Sequence, residues 1–145
     1  LPKIDSNTIS REVAGISDIL TKKGYQLILA NTNNNIEEEL KYLSLFKDNQ
    51  VDGVIFIATI LTKQHRDMLK EYKVPIVLLG QRLEGYPCIF QDDHKAAMTL
   101  TEQMVKTGSK FGYITVTDKD EAVGRKRMSG VEEILSKNKI EFGSE

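Results

Sequence analysis

"VPIVLLG", residues 74–80, decides the fold. The run is apolar at successive positions, where a strand with one wet face would alternate, and it is far too short for a buried helix. Continuous apolar strands of this kind are covered on both faces, as in parallel sheets flanked by helices. Gly80 and the polar loop "QRLEGYP" (81–87) end it.

Working outward, the same pattern recurs. Before it lies "LTKQHRDMLKEYK" (61–73), a helix, and before that "VDGVIFIA" (51–58), a second strand. Ile36, Leu40, Leu43 and Phe46 mark one face of a preceding helix. "YQLILA" (25–30) reads as a strand running into the turn "NTNNN" (31–35). "DSNTISREVAGISDILTKKG" (5–24) spaces Ile9, Val13, Ile16, Ile19 and Leu20 as a helix, with Asp5, Ser6 and Asn7 as caps and Gly24 as its end. Downstream come a short strand "CIFQ" (88–91), a helix "DHKAAMTLTEQMVKTG" (93–108), a strand "KFGYITV" (110–116), a loop (117–124) and a last helix "RKRMSGVEEILSKNK" (125–139). Repeated β–α alternation predicts an α/β fold built on an open, doubly wound, mostly parallel sheet.

The bulk chemistry narrows the function. With 145 residues, 40% of them hydrophobic, the chain has material for a real core. A formal charge of −1 argues against a nucleic-acid-binding surface, which needs a Lys/Arg excess to meet phosphates. Cys88 is the single cysteine, so no internal disulfide or cysteine zinc cluster forms, and a reducing cytoplasm is the expected compartment. No apolar stretch reaches membrane-spanning length and no signal peptide opens the chain. The start, "LPKIDSNTIS", lacks an initiator Met and reads as a cut edge, the end of a strand whose beginning lies upstream.

In open α/β sheets the ligand crevice lies beyond the carboxyl ends of the strands. That places Lys3 to Thr8, Asn31 to Asn34, Ala58 to Ile60, Gly80 to Arg82, Gln91 to Asp93 and Thr117 to Asp120 at its rim. No phosphate-binding glycine loop is present, and no nucleophile motif accompanies the well-separated His65 and His94. No catalytic residue is assigned. His65 is expected on the polar face of its helix, at the surface.

Asp92, Asp93 and His94 invite a metal reading, but consecutive residues at a helix start point in different directions, and no metal site is expected. One of the two aspartates caps the helix; the other is free to accept hydrogen bonds from a ligand hydroxyl. Arg125, Lys126 and Arg127 stand where a helix is expected to begin, a placement that opposes its dipole; one arginine pointing into the crevice would clamp a hydroxylated or anionic ligand. The Asn run suits a turn, because Asn tolerates left-handed backbone, and its amides also suit the vicinal hydroxyls of a sugar. Cys88 is expected to fill its strand as a small apolar residue.

Taken in order, the segments resemble the effector-binding core of the LacI/GalR family of bacterial repressors. "LPKIDSNTISREVAGI" is similar to the family's first strand end, polar turn and helix. "KKGYQLILANTNNNIEEELKYL" resembles its "GY-x-L-x-L-x-N" strand and Glu-rich helix. "VDGVIF", "VPIVLLGQR", "QDDHKAAMTLTEQMVKTG" and "AVGRKRMSGVEEIL" follow with natural spacing. Asp93 stands where the family has Asn, and Val131 where an aromatic is usual.

The resemblance implies a periplasmic-binding-protein-like fold, with residues 1–108 covering most of a first subdomain and 109–145 beginning a second. It implies a sugar or related metabolite as effector, no cofactor, homodimerisation, and operator binding through a helix-turn-helix headpiece outside this chain. By position, Asp5, Ser6, Asn7 and Thr8 would form the first ligand edge, Asn33, Asn34 and Thr59 would follow the next strands, Asp92 and Asp93 would stand at the family's aspartate-led helix start, and Arg127 would be the effector-contacting arginine. The headpiece, most of the first strand and most of the second subdomain are expected to be missing, leaving unpaired backbone in the sheet. The sugar-binding protein of an ABC transporter is the alternative with the same fold; an unrecognised α/β enzyme is a more distant one.

Overall fold

The computed structural model describes residues 1–108 and 110–143. They form two compact units, Leu1–Ile89 and Phe90–Glu145. In the first, α1 (Asn7–Lys22) and α2 (Ile36–Asp48) precede β1 (Val54–Ile57), α3 (Lys63–Lys70), β2 (Ile76–Leu79) and β3 (Cys88–Ile89). The second carries α4 (Asp93–Met104), a π-helical turn (Glu121–Lys126) and α5 (Arg127–Lys137), which continues it. Packing of α4 on α5 holds the second unit together. Residue 109 itself lies outside the described residues.

The expected parallel sheet is present, in the order β1-β2-β3. Val54 pairs with Ile76 and Ile57 with Leu79, while Leu78 pairs with Cys88 and Leu79 with Ile89. Continuous apolar character in "VPIVLLG" therefore has its physical cause: β2 is the central strand, with a partner along each edge. Leu43, Val54, Phe56, Ala58, Leu69, Ile76, Leu78 and Leu83 form the core around it, with Cys88 packed against the cluster as a small apolar residue. Burying a side chain such as Leu78 or Leu69 contributes about 1.5–3 kcal/mol.

Two expected strands do not form ladders. Residues 25–30 run without assigned secondary structure, with Ile28 and Leu29 exposed, and residues 110–116 do the same, with Ile114 fully exposed. Both are strong β-formers, but a strand is defined by a partner, and none of the described residues pairs along their length. Only the end of the first segment is tied: the Leu1 amine donates to Ala30 O at 2.8 Å and Thr32 N to Leu1 O at 3.0 Å, the alternation of a parallel pair.

His65 is also corrected. It is fully buried, not at the surface. The reason is helical spacing: residues 65, 68 and 69 share a face, so His65 lies on the side that Leu69 presents to the core.

Candidate functional site

In the first unit, the loops at the carboxyl ends of the strands are built from short polar residues. Asn33 and Asn34 both hold left-handed backbone, with φ of 51° and 59°, which Asn tolerates better than other non-glycine residues. Asn31 Nδ2 donates to Asn33 Oδ1, Asn34 N to Pro2 O, and Ile4 N to Asn31 Oδ1 at 3.2 Å. These bonds bring the start of the chain beside the Asn turn, so Asp5 and Asn33 belong to one cluster of loops. Asn35 then caps α2, its side chain accepting from Glu38 N. Ser6 occupies the N-cap position of α1, without a side-chain cap bond, and Asn7 and Thr8 begin the helix with exposed side chains. Thr59 follows β1; its carbonyl accepts from Gln81 Nε2 at 2.9 Å, which links the loops after β1 and β2.

Behind these loops sits a buried polar group that sequence reasoning missed. Glu39 and Thr32 are 3% and 4% exposed, and His65 is wholly inside. Thr62 N and Thr62 Oγ1 lie 3.3 and 2.9 Å from His65 Nδ1. A backbone N–H only donates, so Nδ1 is the acceptor and the ring proton sits on Nε2. Nε2 is 3.2 Å from Glu39 Oε2, in contact but off the line of a hydrogen bond. Thr32 Oγ1 reaches Glu39 Oε1 at 3.4 Å. Two signals were available: Glu39 shares the face of Ile36, Leu40 and Leu43, and Thr62 precedes His65 at capping-box spacing.

The second unit settles which aspartate caps α4. Asp92 does, accepting from Lys95 N at 3.0 Å. Asp93 is buried, and Arg127 Nε donates to its Oδ1 at 2.6 Å. Gly130, one turn beyond Arg127, explains the geometry. A Cβ there would collide with the His94 carbonyl and crowd Ala97, so only glycine lets α5 lie this close to the start of α4. The three-residue spacing from Arg127 to Gly130 thus delivers the guanidinium to Asp93.

The expected clash of basic residues with a helix dipole does not arise. The helix begins at Glu121, where Asp120 accepts from Ala122 N and Val123 N, so Arg125 to Arg127 stand more than a turn inside it. Lys126 lies over the Phe90 ring, 5.7 Å from its centre. His94 and Glu133 make a half-exposed contact at 3.4 Å; Lys137, bonded to Glu133, holds that carboxyl below its usual range, with His94 adding to the pull.

Asp5, Ser6, Asn7, Thr8, Asn33, Asn34 and Thr59 therefore belong to the first unit, and Asp92, Asp93 and Arg127 to the second. Among the described residues no group of three or more His, Cys, Asp or Glu is placed to hold a metal, and no helix is long and apolar enough to cross a membrane. Asp93 orients Arg127 through Nε, so the terminal nitrogens of the fork can engage hydroxyl or anionic groups.

Residues 3–142 match the family described as periplasmic binding proteins and sugar binding domain of LacI family. The sucrose operon repressor of Staphylococcus xylosus is 30% identical over 90% of this chain and 41% of its own length. Catabolite control protein A of Priestia megaterium is 30% identical over 92% and 41%. The crystal structure of the transcription regulator CcpA of Lactococcus lactis superposes with a TM-score of 0.90 at 34% identity, covering 99% of this chain and 54% of that one. The chain spans about two fifths of the length of these curated relatives and about half of the solved one.

Proposed function

The chain belongs to the family of periplasmic binding proteins and LacI-type sugar-binding domains, and on that premise we propose that it is the effector-sensing part of a LacI/GalR-type transcriptional repressor. The ligand is a sugar or a related small metabolite, held between a subdomain of residues 1–108 and one beginning at 109. Asp5 to Thr8, Asn33, Asn34, Thr59, Asp92, Asp93 and Arg127 supply donors and acceptors for its hydroxyls. The protein works without a cofactor and is not an enzyme: its output is a change in operator affinity. It acts in the cytoplasm as a homodimer, gripping DNA through a headpiece outside residues 1–145.

The Asp93–Arg127 pair carries this reading. A buried carboxylate that fixes a partly exposed guanidinium is a preorganised fork, and preorganisation is what a hydroxyl-rich ligand needs to bind against water. The thermodynamic requirement is that the ligand prefer one of two states; that difference in affinity shifts the operator equilibrium. Relatives of this chain are named as regulators of sugar operons and catabolite control, which favours this reading over the transporter one.

The test is calorimetric titration of the full-length protein with sucrose and with a panel of monosaccharides and sugar phosphates, followed by operator gel shifts with the ligands that bind. Saturable binding coupled to a changed operator affinity is expected. Binding without any effect on DNA would favour the transport reading, and chemical turnover of a ligand would overturn the non-enzymatic one.

A further inference from the structure

We propose that Glu39 and His65 form a buried clasp that sets the spacing of two effector-facing loops, residues 31–35 and 58–62, and so act as positioning residues for the ligand site. This rests on the effector-binding reading above. The geometry supplies a continuous chain of polar contacts: Thr32 to Glu39, Glu39 to His65, and His65 to Thr62. One end, Thr32, directly precedes Asn33 and Asn34. The other, Thr62, lies three residues after Thr59. Neither Glu39 nor His65 reaches solvent, so neither touches a ligand itself.

A buried carboxyl beside a buried imidazole is an expensive way to fill space. Two leucines would pack α2 against α3 at no such cost. What the polar pair adds is direction. Thr62 holds Nδ1 through both its backbone and its hydroxyl, the Phe56 ring lies 5.6 Å from the imidazole, and Nε2 is left facing Glu39. The imidazole can therefore meet the α2 carboxylate in one orientation only, which locks the start of α3 to the start of α2. Because each helix start is the end of a ligand loop, the lock is transmitted to Asn33, Asn34 and Thr59.

Hydrogen exchange on the full-length protein tests this without any ligand. Glu39→Ala and His65→Ala are expected to speed exchange of the amides in both loops together, with β2 (Ile76–Leu79) unchanged. Glu39→Gln, which keeps a polar oxygen beside Nε2, is expected to restore most of the protection. The double variant Glu39→Leu, His65→Leu guards against a simple folding defect. It should melt near the wild-type temperature, yet keep the loosened loops and bind sucrose, or whichever sugar titrates the wild type, more weakly by about tenfold or more. Loops as protected in the double leucine variant as in wild type, or loosening that spreads equally to β2, would overturn the proposal. If the wild type answers none of the sugars, the effector reading fails on its own, while loop exchange still decides whether the clasp exists.

Discussion

Residues 25–30 and β2 (Ile76–Leu79) are close in composition and opposite in fate. "YQLILA" and "PIVLLG" are both short apolar runs that follow a helix and lead into a polar loop. β2 has a hydrogen-bonded neighbour on each side, and Leu78 is wholly buried. Residues 25–30 have no ladder; Ile28 is 64% exposed, and the segment lines an apolar cavity of about 650 Å³ with Val13, Ile16, Leu43, Ile55 and Val77. Among the described residues the outer edge of β1 has no paired strand either, and Ile55 is exposed. Hydrophobicity nominates a strand, and partners make it one.

That contrast predicts very unequal responses to one substitution. Leu78→Ala should destabilise by about 2–5 kcal/mol in a urea melt, since it empties a site with partners on every side. Ile28→Ala should stay within about 0.5 kcal/mol, as for an exposed residue. Equal losses would mean that residues 25–30 are packed in solution, and the comparison would break.

The second unit sharpens the same point through contact between helices. Gly130→Ala should cost about 1–3 kcal/mol, because the new methyl must displace the α4 backbone at His94. Gly15→Ala on α1, where the Cβ meets open space, should not destabilise.

A smaller effect concerns Tyr72, half-buried at the end of α3, whose hydroxyl donates to Leu43 O. Tyr72→Phe should cost about 1 kcal/mol at neutral pH. Burial, with the charge of Asp48 adding, pushes the phenol up to about 12. The unfolded chain loses that proton near pH 10, so the folded state holds the extra proton between 10 and 12 and stability falls as pH rises through that range. In the Phe variant this part of the decline should disappear from melts taken at pH 9 to 12.

Much of the fold was legible because β1, β2 and the helices between them are local: apolar period, caps and terminal glycines all lie within a few residues of each other. Two things were not. Whether residues 25–30 and 110–116 pair depends on neighbours far away in sequence, which composition does not encode. The burial of His65 was in principle readable from its spacing to Leu69, but a polar residue on a helix invites the solvent-facing assignment until its partner is known. At the site, the Asp92/Asp93 ambiguity was inherent, since either can cap. Tertiary contact resolved it: Arg127 reaches Asp93 because Gly130 admits α4, and Asp92 is left as the cap.

The central claim is that Arg127, oriented by Asp93, reads the effector. It is tested most directly by operator gel shifts on the full-length protein and its Arg127→Ala variant, titrated with a sugar that the wild type binds. The variant should hold operator DNA as tightly as wild type without ligand and fail to respond to it, and Arg127→Lys should not restore the response, because an ammonium cannot reproduce the fork. An Arg127→Ala protein whose operator affinity shifts at the same sugar concentration as wild type would contradict the account.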